Sequence, residues 1–176
     1  AIGKLLGDGS LRILDSGSAA IVWCHSEKDE CYLDWTARAF GELCKGTRSL
    51  MHGGYSKTPR IRDSTIFSYL LKREFECFIA NGRKTVPREI IGKFGPISLA
   101  FLYMDDGSLS HNVDQEDRAS LATCSFTIEE NNILLEAIAR LGIIGTQYFD
   151  GKYNRIRFDI RNSEKLFLTV APYVPP

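Results

Sequence analysis

Gly3-Lys4-Leu5-Leu6-Gly7-Asp8-Gly9 is a short apolar segment that runs directly into an Asp-Gly pair. The pattern returns at Phe101-Leu102-Tyr103-Met104-Asp105-Asp106-Gly107, so that Asp8 and Asp106 are 98 residues apart. If both segments are helices packed side by side, the two carboxylates emerge at the same end of the helix pair. Two acidic groups at one point are what divalent metal ions require. Taken alone, each Asp-Gly pair is also explained by a turn that closes a helix.

Composition is that of a globular chain without disordered or low-complexity segments. The 176 residues, 44% hydrophobic and 25% charged, suffice for one large domain or two small ones. The longest apolar runs, such as residues 97–104, are far shorter than the roughly 20 residues of a membrane span, and no signal peptide opens the chain. We therefore expect a protein of the cytosol or of an organelle matrix, that of a mitochondrion or chloroplast included. The five cysteines show no CxxC pair, which favours reduced thiols over disulfides or a zinc site.

Charge is sorted along the chain although the net charge is zero. Residues 48–94 carry a net +6 and residues 137–176 a net +3, whereas residues 95–136 carry −7. A neutral protein with sorted charge presents a basic face to a partner such as a nucleic acid. Helix surfaces that differ in charge by chance are the alternative explanation.

Periodicity predicts the same order of elements twice. In the first half, the apolar helix is followed by strands at 10–14 and 19–24, a helix at 27–44 with Ser26 as N-cap and Gly46 at its end, strands at 48–51 and 59–66 around Gly53-Gly54, and a helix at 67–80 ended by Asn81-Gly82. A short helix after Pro87 then leads to Gly95-Pro96, the predicted domain boundary.

The second half repeats this order. Its elements are a helix at 97–105, strands at 108–113 and 119–126, a helix from Thr127 to 141 with Glu130 completing a capping box, strands at 147–149 and 155–160, and a helix at 163–170. We therefore predict an α+β fold of two αββαββα halves, 1–94 and 95–176. Duplication at this scale indicates a pseudo-twofold molecule with the two leading helices on its axis.

These segments resemble the motif of the LAGLIDADG homing endonucleases, in the single-chain form that carries two motifs. The nine-residue family motif lies over residues 1–9 and 99–107. Arg83-Lys84-Thr85-Val86-Pro87 resembles the basic-Lys-Thr-Ile-Pro stretch of the intron-encoded monomeric branch, in which Met104-Asp105-Asp106-Gly107 is also common. The resemblance spans essentially the whole chain because the order of elements between the motifs is also that of the family.

The resemblance implies a saddle of antiparallel sheets for DNA, with the two motif helices at the domain interface. It implies a monomer that cuts both strands of double-stranded DNA at a long specific site, with Mg²⁺ as cofactor and two or three divalent ions bound. Asp8 and Asp106 would bind the metal together with the scissile phosphates, and the backbone carbonyls of Gly7 and Asp105 would complete the coordination. Such an ion lowers the pKa of the attacking water and neutralises charge on the departing 3′ oxygen.

Lys84 stands where the family keeps a lysine that orients water and stabilises the charged phosphate. An ordinary solvated surface lysine is the alternative. The equivalent lysine of the second half is expected just after residues 172–176, beyond the chain, so we expect both ends to be trimmed.

The resemblance also implies DNA contact by side chains on the open faces of four hairpins, which reach into the major groove. The candidates are Arg12, Ser18 and His25 on the first hairpin, Arg48, Lys57, Arg60 and Arg62 on the second, His111, Asn112, Gln115 and Arg118 on the third, and Lys152, Asn154, Arg155 and Arg157 on the fourth. A spacing of two puts Arg60 with Arg62, and Arg155 with Arg157, on one strand face. An ordinary solvated strand face is the alternative.

The leading helices are expected to meet closely. Gly3 and Gly7 stand at i and i+4, where small residues permit backbone approach, and the bulky Phe101 of the second segment is expected to fill the space opposite. Trp23 and Trp35 are expected in the core rather than stacked on bases.

Three classes of function fit the sequence. The first is the metal-dependent DNA endonuclease, and the second is an RNA-splicing maturase or regulator that binds nucleic acid without cutting it. The retained Asp at both motif ends argues against the second. The third is a protein-interaction domain, which a salt-dependent shift of duplex DNA would rule out.

Overall fold

The computed structural model describes residues 1–44, 48–52, 58–112 and 115–175, of which the side chains at 111, 112 and 115–117 lie outside the description. Among these residues, the α-helices are α1 (Ile2–Leu6), α2 (Glu30–Phe40), α3 (Tyr69–Phe75), α4 (Pro96–Asp106), α5 (Ile128–Ala139) and α6 (Ile160–Val170). The strands are β1 (Ser10–Ile13), β2 (Ala19–Ser26), β3 (Ser49–Met51), β4 (Arg60–Ser64), β5 (Ile79–Ala80), β6 (Arg83–Lys84), β7 (Gly107–Asn112), β8 (Gln115–Leu121), β9 (Gly145–Phe149) and β10 (Asn154–Phe158).

The two halves build the same antiparallel sheet. In the first half the strand order is β1-β2-β4-β3, and in the second it is β7-β8-β10-β9, with a separate two-stranded ribbon of β5 and β6. In each case two hairpins join through their inner strands, and a helix follows each hairpin. The predicted fold of repeated αββαββα halves with antiparallel sheets is confirmed.

The chain divides into two compact units whose boundaries differ from those of the sequence repeat. The first unit contains Asp8–Cys77, and the second contains Ile2–Gly7 together with Phe78–Val174. Helix α1 belongs to the second unit because it packs against α4. The halves 1–94 and 95–176 stay a prediction about the repeat.

The core of the first unit lies under its sheet. Ile21 and Trp23 of β2 and Leu33 of α2 are at most 1% exposed, and the Trp23 ring stacks on Phe40 of α2 at 5.0 Å between centroids. Burying each such side chain contributes about 1.5–3 kcal/mol. The core position predicted for Trp23 is confirmed, whereas Trp35 is half-buried against another aromatic ring of α2.

The core of the second unit is formed by α4, α5 and α6 against strands β8 and β10. Its fully buried side chains include Leu99, Leu102, Leu134, Ile156 and Leu166. Helix α5 begins with the predicted capping box. The Thr127 hydroxyl accepts a hydrogen bond from the Glu130 amide at 3.2 Å, and the Glu130 carboxylate accepts one from the Thr127 amide at 2.7 Å.

Asn81-Gly82 closes a hairpin, whereas the sequence predicted that it would end a helix. Helix α3 ends at Phe75, a 3₁₀ turn covers Glu76–Phe78, and β5 then pairs with β6 across this dipeptide. Both residues have positive φ, 52° for Asn81 and 73° for Gly82. Asn-Gly is the preferred dipeptide of two-residue hairpin turns that need positive φ at both positions. The helix predicted over 67–80 is therefore wrong at its carboxyl end.

Two other predicted elements are too long. The helix predicted over 27–44 consists of α2 flanked by 3₁₀ turns, and it ends at Phe40 because Gly41 takes a φ of 57°. Strand β8 ends at Leu121 rather than at 126, since the Phe126 amide donates to the Thr123 carbonyl in a turn. The predicted glycines Gly46, Gly53 and Gly54 lie outside the described residues.

Helices α1 and α4 approach within backbone contact at Gly3. A methyl group added at Gly3 would lie 1.9 Å from the carbonyl oxygen of Ser98 on α4. Because this oxygen is a backbone atom, it cannot move aside for the methyl group as the end of a flexible side chain could. Phe101 of α4 is 3% exposed.

We expect Gly3→Ala to lower the free energy of unfolding by about 1–3 kcal/mol, because the added methyl group forces the helices apart. This loss should outweigh the better helix propensity of alanine. Urea unfolding followed by circular dichroism measures the change. Gly92→Ala is the matched control, since a methyl group there meets nothing within 4 Å. A Gly3→Ala variant as stable as this control would contradict the packing described.

Candidate functional site

A buried ion pair joins α1 to α4 next to the second Asp-Gly pair. The Lys4 ammonium lies 2.7 Å from Oδ1 of Asp105, and both side chains are 0% exposed. Asp105 also lies against Gly7, where an added methyl group would stand 2.5 Å from its Oδ2. The side chain of Asp105, predicted to serve the metal through its backbone carbonyl, therefore makes a structural bond between the helices.

Of the two predicted catalytic aspartates, one ends α4 and the other stands two residues after α1. Asp106 is the last residue of α4 and is half-buried, and its carbonyl accepts a hydrogen bond from the Ala122 amide at 2.8 Å. Asp8 belongs to the first unit and follows Gly7, the last residue of the Ile2–Gly7 segment of the second unit. Its side chain is 45% exposed, and its Oδ2 lies 3.7 Å from Nδ1 of His25.

Lys84 is presented by the β5–β6 hairpin. It pairs with Ile79 across the hairpin, and its ammonium donates a hydrogen bond to the carbonyl of Gly7, the residue before Asp8. That carbonyl is one of the two predicted as metal ligands. Lys84 and Gly7 both belong to the second unit, and the structure places the Lys84 ammonium next to Gly7 at the carboxyl end of α1.

The open face of the first sheet carries three predicted arginines. Arg12 pairs with Ala20, Arg62 with Cys24 and Arg60 with Ser26. Cross-strand partners share a face, and alternate residues of β2 also do, so these arginines form one row. Arg12 and Arg62 are exposed and Arg60 is half-buried.

His25 lies on the opposite face of β2, since it stands between two residues of the arginine face. Its imidazole is 10% exposed, contacts the Tyr32 ring edge-on at 5.0 Å and approaches Asp8. The register therefore corrects the expected position of His25. Ser18 is also corrected: it is 9% exposed, and its carbonyl closes the β1–β2 turn by accepting from the Leu14 amide.

Arg48, predicted to contact DNA, is held by two carboxylates of its own unit. Its Nε lies 2.9 Å from Asp63, which is 2% exposed, and its NH1 lies 2.6 Å from Asp34. The hydrogen bond to Asp63 raises the pKa of Arg48. Burial, together with the Asp63 charge, raises the pKa of the nearby Cys44 thiol to about 11. Arg48 thus neutralises a buried acid under the sheet.

The open face of the second sheet repeats the basic row. Arg157 pairs with Ser120 on one side and Thr146 on the other, and Arg155 pairs with Tyr148. The intervening Ile156 is fully buried on the other face. Arg118 stands two residues before Ser120 and shares the row, the Arg157 guanidinium lies 5.2 Å from the centre of the Tyr148 ring, and Arg155 lies 2.6 Å from Asp150.

The other predicted DNA contacts lie at hairpin ends or outside the described residues. Lys152 is exposed in the β9–β10 turn with its ammonium 4.8 Å from the centre of the Tyr153 ring, and Asn154 is half-buried at the start of β10. Lys57 and the side chains of His111, Asn112 and Gln115 lie outside the description.

Comparison with known proteins decides the family. The sequence profile of the LAGLIDADG DNA endonuclease family matches residues 1–166. The chain belongs to the LAGLIDADG DNA endonuclease family. Its predicted membership, in the single-chain form with two motifs, is confirmed.

Solved structures of LAGLIDADG proteins share the fold. The homing endonuclease I-WcaI bound to its DNA recognition sequence matches with a TM-score of 0.85 at 22% identity, over 99% of this chain and 80% of that chain. A variant of I-DmoI in complex with its target DNA in the presence of 2 mM Mg matches with a TM-score of 0.59 at 16% identity, over 97% of this chain and 92% of that one. At these identities the likeness concerns the fold.

A curated relative is much longer than the chain. Protein RecA of Mycolicibacterium flavescens is 27% identical over 111 residues, 62% of this chain. The chain spans about a quarter of that protein's length, since the match covers 25% of it.

Among the described residues, helices are too short or too polar to cross a membrane.

Sequence reasoning missed or misassigned three residues. Lys4 is a charged residue inside an apolar helix, which could have indicated a buried partner, but its partner Asp105 is 101 residues away. Glu130 was recognised only as a helix cap. His25 was assigned to DNA because strand alternation alone does not say which face packs against a helix.

Proposed function

We propose that this LAGLIDADG protein is a sequence-specific endonuclease that hydrolyses phosphodiester bonds on both strands of double-stranded DNA with a divalent metal ion, as a monomer on a long target site. The observation that carries the proposal is the pairing of α1 with α4 in a chain of this family, each helix running into a retained Asp-Gly pair. The DNA-bound state of I-WcaI and of I-DmoI supports it.

The donor atoms at these helix ends suit a hard divalent cation. Asp8 and Asp106 offer carboxylate oxygens, one partly exposed and one half-buried, and neither position offers a sulfur ligand. Oxygen donors of this kind favour Mg²⁺, Mn²⁺ or Ca²⁺ over softer metals. We propose that each aspartate supplies a ligand to such an ion. When bound, the ion supplies Lewis-acid activation at the scissile phosphate.

Lys84 would supply positive charge to the reaction. Hydrolysis forms a bond between a water oxygen and phosphorus and breaks the bond from phosphorus to the 3′ oxygen, while negative charge increases on the phosphate oxygens. An ammonium group held in place stabilises that charge without reorganising during the reaction. The contact of Lys84 with the Gly7 carbonyl supports this role, because it holds the ammonium beside the residue that precedes Asp8.

The arginine rows would supply DNA affinity and base contacts. Guanidinium groups bind phosphates through charge and bind guanine edges through paired hydrogen bonds in the major groove. Arg12, Arg60 and Arg62 on one sheet, and Arg118 and Arg157 on the other, occupy open faces suited to this role.

Selection of cleaved sites from a random duplex library tests the function. With Mg²⁺ we expect one long sequence to be enriched among molecules cut on both strands, and with EDTA we expect no cutting. Salt-sensitive binding of duplex DNA without any enriched cut site would instead favour the maturase or regulator. Absence of both cutting and binding would contradict a nucleic-acid function.

A further inference from the structure

Glu130 connects the hairpin that carries Lys84 to the first turn of α5. Its Oε1 and Oε2 accept hydrogen bonds from NH2 and NH1 of Arg83 at 2.9 and 3.1 Å, and the Thr85 hydroxyl also donates to Oε1. The Glu130 side chain is 8% exposed. One buried carboxylate therefore binds both chain neighbours of Lys84.

The direction of these bonds matters for Lys84. Successive side chains of a strand point to opposite faces, so that Arg83 and Thr85 turn towards Glu130 while Lys84 turns away to the Gly7 carbonyl. The hairpin has only two residues in each strand. A ribbon of this size has little stability of its own. Its orientation therefore depends on contacts with the rest of the unit, among them the ion pair of Glu130 with Arg83 and its hydrogen bond with Thr85.

Glu130 is suited to hold this hairpin because it stays ionised. Burial raises the pKa of the carboxyl, but the hydrogen bonds from Arg83, from the Thr85 hydroxyl and from the Thr127 amide outweigh burial and hold the pKa below its ordinary value. A carboxylate paired with a guanidinium through two hydrogen bonds also has fixed geometry. The backbone amide of Thr127 also donates to Oε2 of this carboxylate at 2.7 Å, which fixes it to the start of α5.

We propose that Glu130 is a positioning residue for Lys84: by clamping Arg83 and Thr85, it fixes the direction in which the lysine ammonium points. The proposal rests on the proposed function, in which Lys84 acts at the scissile phosphate. Misplacement of such a group by about 1 Å lowers a reaction rate by up to a hundredfold without weakening substrate binding.

Thr85→Val and Glu130→Gln test the proposal, with Thr127→Ala as the matched control. Thr85→Val removes a hairpin hydroxyl that donates to the Glu130 carboxylate. Thr127→Ala removes a hydroxyl that accepts from the Glu130 backbone amide, and it leaves the bond from the Thr127 amide to the Glu130 carboxylate in place. We expect the first two variants to lower the single-turnover cleavage rate about ten- to a hundredfold, with an unchanged Kd for duplex DNA in EDTA. Amide hydrogen exchange at residue 85, whose N–H donates to the Phe78 carbonyl across the hairpin at 2.9 Å, should accelerate in both. The control should lower the melting temperature but leave the cleavage rate and the exchange at residue 85 unchanged.

The possible results distinguish a failure of the inference about Glu130 from a failure of the proposed function of Lys84. Wild-type cleavage and exchange in Thr85→Val and Glu130→Gln would overturn the inference, as would an equal loss of rate in Thr127→Ala or a parallel loss of DNA affinity. Wild-type cleavage by Lys84→Met would instead refute the catalytic role of the lysine. If the protein cleaves no duplex, the exchange of the residue 85 amide still reports whether Glu130 holds the hairpin.

Discussion

Asp106→Asn should abolish double-strand cleavage while leaving DNA binding measurable. Asparagine keeps the size of the side chain but lacks the negative charge that a divalent cation requires of its ligands. Because Asp106 is the last residue of α4 and is half-buried, this isosteric change leaves helix packing in place. We expect a loss of about a thousandfold or more in the cleavage rate, as for other groups at the centre of a catalytic site.

Asp8→Asn should have an effect of similar size, and products of the two variants will show whether each aspartate serves one strand. A supercoiled plasmid that carries the selected site separates nicked from linear product in one gel. Asp29→Asn is the matched control, since Asp29 is an exposed carboxylate that makes no capping hydrogen bond. Cleavage at the wild-type rate by either motif variant would refute the assigned roles.

Breaking the Lys4–Asp105 pair from one side should be the most destabilising change in the helix pair. Lys4→Met leaves a carboxylate with 0% exposure without its cation, and Asp105→Asn leaves the ammonium without its anion. Removal of one partner of a buried ion pair costs about 3–5 kcal/mol, because the charge that stays is neither solvated nor compensated. Urea unfolding measures this loss for each single variant.

The double variant Lys4→Met with Asp105→Asn separates the charge from the packing. It removes both charges with little change in volume, so that we expect it to be more stable than either single variant. Contacting residues of this kind show coupling energies of about 0.5–3 kcal/mol in double-mutant cycles. Strictly additive losses would mean that the two side chains are not coupled, contrary to the 2.7 Å contact.

Elements with a strong local pattern were predictable from the sequence. The capping box of Thr127 and Glu130 appears as predicted because both of its hydrogen bonds form within one helical turn. The order of helices and hairpins was predictable for the same reason. The prediction at Asn81-Gly82 is wrong because the same dipeptide ends helices and closes hairpins, and only the pairing of β5 with β6 distinguishes the two.

Long-range choices were harder to predict. Arg48 and Arg62 are both arginines of one hairpin region, yet Arg48 binds the buried Asp63 whereas Arg62 lies on the open face. His25 and its strand neighbour Cys24 differ by one position, which reverses the face on which each lies. Such assignments depend on register and on which face meets a helix, which a strand's own alternation does not encode.

The membership of α1 in the second unit bears on how chimeric nucleases of this kind should be joined. A recombinant module that starts at the repeat boundary, Gly95, would lack the five-residue helix that covers one side of α4, and the apolar surface near Ser98 would face solvent. Exchange of specificity between relatives is therefore better done with junctions at Gly7/Asp8 and Cys77/Phe78, so that each transplanted piece carries its own complete interior.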